Sequence, residues 1–137
     1  MQPDDITEAV IAASITIHRE LGPGLLESVY VLVLAASLQR RGFRVQRELP
    51  VTVAYDDMQF EDAFRADLLV DGCVVVEVKS VEKLAHVHTK QLLTYLRLLN
   101  LRVGLLLNFG AATMRQGLKR VVNDLDPTTS PALRVNR

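Results

Sequence analysis

A chain of 137 residues suits one domain around a single core, and 49% hydrophobic residues with a mean hydropathy of +0.17 favour a folded chain over disorder. Sixteen basic and sixteen acidic residues cancel to a net charge of zero, which removes any global argument for a polyanionic partner. The single Cys73 excludes an internal disulfide and a cysteine-based zinc cluster, and it reads as a small buried hydrophobe.

No apolar run reaches the roughly 18 residues of a membrane span. The opening segment carries Asp4 and Asp5 where a signal peptide needs bases, so a cytoplasmic chain is expected. Charge is unevenly spread. Arg40, Arg41, Arg44 and Arg47 lie in a stretch without acids, as do the seven bases from Lys83 to Arg120. Eight of the sixteen acids fall between Asp56 and Glu82. Basic flanks around an acidic centre suit a metal-dependent enzyme acting on phosphates, although solvated faces of a small protein look the same.

In chain order, Asp4-Asp5 with Glu8 marks a helix start, and Ile6, Val10, Ala13, Ile17 and Leu21 repeat at helical spacing. Leu21-Gly-Pro-Gly24 ends it. A second helix is predicted from about Leu25 to Arg41, with Gly42 as its stop and Glu27 in its first turn. Phe43–Leu49 and Val51–Tyr55 alternate as two strands separated by Pro50, which argues for a bend or an edge position. Asp56-Asp57 is a turn.

Strands over Phe60–Val70 and Cys73–Val78 follow, then a helix from Val81 or Glu82 to Asn100. Val103–Phe109 reads as a strand buried on both faces. Gly110 and Gly117 bracket a connector, and Leu118–Val122 forms a last strand. The crossover helix implies that the strands on either side of it are parallel. Residues 1–123 form one domain on this reading, and 124–137, with two prolines and no period, a mobile tail.

The chemistry concentrates in Phe64–Ser80. Asp67 precedes an apolar run, Asp71-Gly72 turns the chain, and the return run ends Glu77-Val78-Lys79. A two-residue loop would set Asp67 opposite Val76, with Glu77 on the other face. A three-residue loop sets Asp67 opposite Glu77 and gathers both carboxylates and Lys79 on one face. The second register is expected, because converging groups explain why charge is tolerated among valines.

An Asp followed by Glu-x-Lys on the next strand resembles the PD-(D/E)XK nuclease superfamily, with Ala66 where a proline often precedes the first acid. Gln91-Leu-Leu-Thr-Tyr95 is similar to the Q-x-x-x-Y motif of its RecB-like branch. Gly24-Leu-Leu-Glu27-Ser-Val-Tyr30 matches the signature of the small GxxExxY proteins. Ile17-His18, Leu21-Gly-Pro-Gly24 and Asn108-Phe109-Gly110 also look like that family.

The resemblance implies an α/β (mixed α+β), restriction-endonuclease-like core with a mixed central sheet flanked by helices. It implies a Mg²⁺- or Mn²⁺-dependent nuclease that hydrolyses phosphodiester bonds of DNA, or of RNA, with a metal-activated water. Asp67 and Glu77 would be metal ligands, aided by the Val78 carbonyl, with Glu27 a further carboxylate for water or a second metal. Lys79 would orient the water. Gln91 and Tyr95, one helical turn apart, would contact the lysine, the water or the phosphate. Lys90 and Arg97 would handle nucleic acid.

The blander readings stand beside these. Tyr30 and Tyr95 suit a core with a hydrogen-bonded hydroxyl, His18 packing beside the Gly-Pro turn, and His86 and His88 an exposed helix end. The alternative function is a catalytically silent nucleic-acid-binding or regulatory module, or a partner-dependent subunit. Oligomeric state is open, a homodimer included.

Overall fold

Nine elements, seen in a computed structural model that describes residues 2–124, follow from where the apolar periods start and stop. Helix α1 (Pro3–Leu21) starts with proline, whose missing N–H costs nothing at a helix start, and the Gln2 N–H donates to the Asp5 carboxylate at 3.3 Å. Gly22 ends it at φ 69°. Helix α2 (Glu27–Arg40) begins two residues later than predicted, because Gly22 to Leu26 form a folded turn.

Strands β1 (Val45–Tyr55), β2 (Met58–Val70) and β3 (Val74–Lys79) follow, then helix α3 (His86–Leu99), strand β4 (Val103–Asn108), the one-turn helix α4 (Met114–Gly117) and strand β5 (Leu118–Val122). The strands form one sheet in the order β1-β2-β3-β4-β5. Only β3 and β4 are parallel, joined by the crossover helix α3, as the sequence predicts. Helices α1 and α2 share one core with Leu68, Val74, Val76 and Val78. The second core holds Val75, Leu106 and the α3 residues Leu92, Tyr95 and Leu96. A mixed sheet flanked by helices is therefore the observed fold. No helix among the described residues is long and apolar enough to cross a membrane.

Three local expectations are corrected. The two strands proposed around Pro50 are one strand, β1, because Pro50 lies at the sheet edge and stays paired with Arg65. The helix expected from Val81 or Glu82 starts at His86, because the chain first bends through 81–83 with the Val81 N–H held by Asn108 Oδ1 of β4. Cys73 is half-buried and lies in the turn before β3, not within the strand. The tail lies outside the described residues except for Asp124.

Strand β3 is anchored where it leaves the sheet. The fully buried Asn108 accepts the N–H groups of Val81 and Gly110 on one Oδ1, each at 3.0 Å, and the Phe109 N–H donates to the Lys79 carbonyl at 2.8 Å. A Cβ at Gly110 would overlap the Val81 backbone. Gly110→Ala is accordingly expected to cost about 1–3 kcal/mol of stability, the usual range for forced overpacking. Urea unfolding of both proteins checks this; an unchanged midpoint would contradict the clamp.

Candidate active site

The Asp71-Gly72 turn sets the register on which the site depends. Val70 pairs with Val74, Leu69 with Val75 and Leu68 with Val76, so the loop has three residues and Asp67 comes opposite Glu77. The ladder then stops. On the other side, Arg47 pairs with Leu68 and Leu49 with Ala66, but Glu48 and Asp67 between them do not pair. Glu48 has φ 56°, a strained value for a side chain other than glycine. Across this break the strands change the core they face: Val45 and Leu68 pack with α1 and α2, while Leu49, Phe64 and Ala66 pack with α3.

In the gap the carboxylates take over the work of ladder carbonyls. The Asp67 N–H donates to Glu77 Oε2 at 2.7 Å, and the Val78 N–H donates to Asp67 Oδ2 at 2.8 Å. Each strand thus lends a carboxylate to the other's backbone. Because Val75 packs toward α3, strand alternation puts Glu77 and Lys79 on that side too.

Burial dominates the electrostatics. Glu77 is 4% exposed, and desolvation, then the neighbouring Asp67 charge, push its pKa up to about 8 against the favourable Asp67 N–H bond. Asp67 is also raised, first by burial, while the Val78 N–H and Lys79 pull it down. Lys79 is half-buried and its charge acts on both, yet no salt bridge within 4.0 Å joins it to either among the described residues. Two acids thus sit close together with incomplete compensation.

Tyr95 is buried on α3, stacked on Phe64 with ring centroids 4.3 Å apart, and its hydroxyl is pushed up to about 12 by burial and by the Glu77 and Asp67 charges. Gln91, one turn earlier, is exposed and has no hydrogen-bond partner among the described residues. Lys90 and Arg97 lie exposed along α3. His88 Nδ1 accepts the Ala85 N–H at 3.0 Å, so that histidine caps the helix.

Glu27 reaches the same end of the sheet from the opposite layer. Its Oε2 accepts the Ser80 N–H at 3.1 Å, and its charge raises both Asp67 and Glu77. The Gly24-x-x-Glu27-x-x-Tyr30 spacing has a physical reading here. Gly24 turns at φ 111°, and the Tyr30 hydroxyl donates to the Gly22 carbonyl while accepting the Leu25 N–H at 3.2 Å. That closed turn delivers Glu27 to Ser80, whose hydroxyl donates to the Leu25 carbonyl at 2.8 Å.

The structure therefore brings together Asp67, Glu77, Lys79 and Tyr95, with Glu27 at the margin and Gln91 one turn away. Among the described residues no cluster of three or more His, Cys, Asp or Glu side chains is placed to hold a metal. Ser80 and Asn108 were missed by sequence reasoning as positioning residues. Asn108 alone carried a signal, a polar side chain ending a fully apolar strand.

A family model described as the PD-(D/E)XK nuclease superfamily matches residues 4–121. No curated protein and no solved structure matches the chain significantly. The match covers every strand of the sheet except its final residue, and the two carboxylates face each other across the strand pair that carries the Asp and the Glu-x-Lys. The chain belongs to the PD-(D/E)XK nuclease superfamily.

Proposed function

We propose that this chain is a divalent-metal-dependent nuclease of the GxxExxY kind, acting on phosphodiester bonds of DNA in preference to RNA. The observation that carries this reading is the crossed Asp67–Glu77 pair, two half-compensated carboxylates on one side of a sheet with Lys79 beside them. Structural acids are rarely held so close together and so deeply buried unless a cation can join them.

The donor set fits a hard cation. Mg²⁺ commonly takes one or two protein carboxylates and keeps several waters, so a third carboxylate is not required. Asp67 and Glu77 would hold it, with the Val78 carbonyl as a further oxygen and Glu27 near enough to act on its hydration. When bound, Mg²⁺ or Mn²⁺ supplies Lewis-acid charge and lowers the pKa of water. Lys79 supplies fixed positive charge where negative charge grows on the phosphate. Tyr95 and Phe64 wall the site and exclude water, and Gln91 offers an unengaged amide. Lys90 and Arg97 approach the backbone phosphates of the substrate.

A second reading has one observation in its favour. Glu27 is engaged with the Ser80 N–H, which suits a structural role and a catalytically silent nucleic-acid-binding or partner-dependent module. Metal-independent, salt-sensitive DNA binding without turnover would favour it.

The carboxylates hold the strands as well as any metal, so amide variants are the sound probe; alanine would also orphan two N–H groups. Calorimetry with Mg²⁺ and Mn²⁺ is expected to show binding by the wild type and none by Asp67→Asn/Glu77→Gln. Lys79→Ala should keep the fold and lower cleavage of single- and double-stranded substrates roughly a hundredfold or more. Equal cleavage by wild type and Lys79→Ala would expose a contaminating nuclease and remove the proposal.

The pH dependence of stability has a definite sign. Glu77 in the folded chain titrates at about 8 against an ordinary 4.5, so the folded state binds the extra proton. Its contribution is fully present below the unfolded pKa and is lost as pH rises through about 8; Asp67 acts in the same direction. Without metal, the melting temperature is expected to fall across that window, and the fall should shrink in Glu77→Gln. Added Mg²⁺ should reverse it, because the cation favours the ionised pair. A melting temperature that climbs with pH in EDTA would contradict the buried-pair account.

A further inference from the structure

A cleft of about 500 Å³ lies away from the carboxylates, between the C-terminal end of α1 and the connector after β4. Its lining joins the apolar Ile15, Gly22, Pro23 and Met114 to His18 and to the exposed Arg19 and Arg115. Its size falls within the usual range for small-molecule pockets. Both arginines are exposed, and neither has a hydrogen-bond or ion-pair partner among the described residues. The His18 part of the lining is held in place. The His18 Nε2–H donates to the Ala111 carbonyl at 2.8 Å, and its ring stacks on Phe109, which in turn stacks on Tyr30 with centroids 4.3 Å apart.

We infer that this cleft is a second ligand site that takes a phosphomonoester carried on a flat, largely apolar body, such as a 5′-nucleotide. Two guanidinium groups free of protein partners match the charge of a phosphomonoester, about −1.5 to −2 at neutral pH, and can bind its oxygens in bidentate fashion. The apolar lining accommodates a ring that a bare phosphate lacks. That the body is a nucleotide rests on the nuclease reading above; the charge and shape of the cleft do not. The site also bears on the catalytic margin. The Gly22 carbonyl at the cleft is the acceptor of the Tyr30 hydroxyl that closes the turn before Glu27.

The test uses the wild-type chain in EDTA, so that metal-dependent binding at the carboxylates cannot contribute and failure of the nuclease reading leaves the result intact. Calorimetry with deoxyadenosine 5′-monophosphate should show binding tighter than with inorganic phosphate or deoxyadenosine. The imidazole proton resonances of His18 should shift, while those of His86 and His88 stay. Arg19→Ala/Arg115→Ala should weaken nucleotide binding about tenfold or more with the circular dichroism unchanged, whereas Arg40→Ala/Arg47→Ala, at two exposed bases outside the cleft, should not.

A 5′-phosphorylated trinucleotide that competes for the cleft would identify the ligand as a chain end, and one that does not would identify a free nucleotide. Unchanged affinity in the Arg19/Arg115 variant, an unmoved His18 resonance, or equal loss in the Arg40/Arg47 variant would overturn the site.

Discussion

Two hydrogen bonds between β2 and β3 organise the working end of this molecule. Where the ladder should continue beyond Leu68 and Val76, the Asp67 N–H reaches the Glu77 carboxylate and the Val78 N–H reaches the Asp67 carboxylate. Backbone donors in a buried sheet must find acceptors. Meeting that demand with side chains ends the ladder while leaving no buried side-chain polar atom without a partner among the described residues. The arrangement draws two carboxyl groups together under burial, and desolvation then raises the pKa of both. Structure and chemistry are therefore the same contact, read once as strand pairing and once as a coupled carboxyl pair that holds a proton.

The remaining elements hold that contact at the end of the sheet. Asn108 fixes the chain leaving β3 by taking both Val81 and Gly110 on one carbonyl oxygen. From the other layer, Tyr30 closes the Gly22–Leu25 turn and stacks on Phe109, so α2 begins at a set height above β3. Glu27 then meets Ser80 without crossing the sheet. Tyr95 stacks on Phe64 on the α3 side, close enough for the Glu77 and Asp67 charges to raise its hydroxyl. Each of these residues acts on the site through position, and most of them are far from Asp67 in sequence.

That separation explains what was legible in the sequence. The hairpin was, because Asp71-Gly72 is a local signal and an odd-residue loop was the only register that gathered the charges on one face. The parallel β3–β4 pair was legible from a helix lying between two apolar runs. The boundaries of β1 and α3 were not. Pro50 looks like a break only until the edge position is known, and the late start of α3 depends on Asn108, whose side chain acts 27 residues away on Val81. The face switch at Glu48 was invisible for a different reason, since a single residue at positive φ has no signature when it is not glycine or asparagine. Among the site residues, Asp67, Glu77 and Lys79 stood out because charge among valines is unusual, whereas Ser80 looks like any loop serine.

The distribution of compensation around the carboxylates differs from that of a structural ion pair. A buried pair kept for stability would place its cation in contact, since an unpartnered buried charge is costly. Lys79 is instead near enough to lower both acids but makes no salt bridge with either among the described residues. Glu27 adds negative charge to the same region rather than relieving it. Simple stabilisation would be served better by drawing Lys79 inward, or by a neutral amide at position 77 that still accepts the Asp67 N–H. No cation of the described residues is in contact with the pair, and under the proposed function a hard cation with its waters would be the species whose charge and oxygen preference complete it.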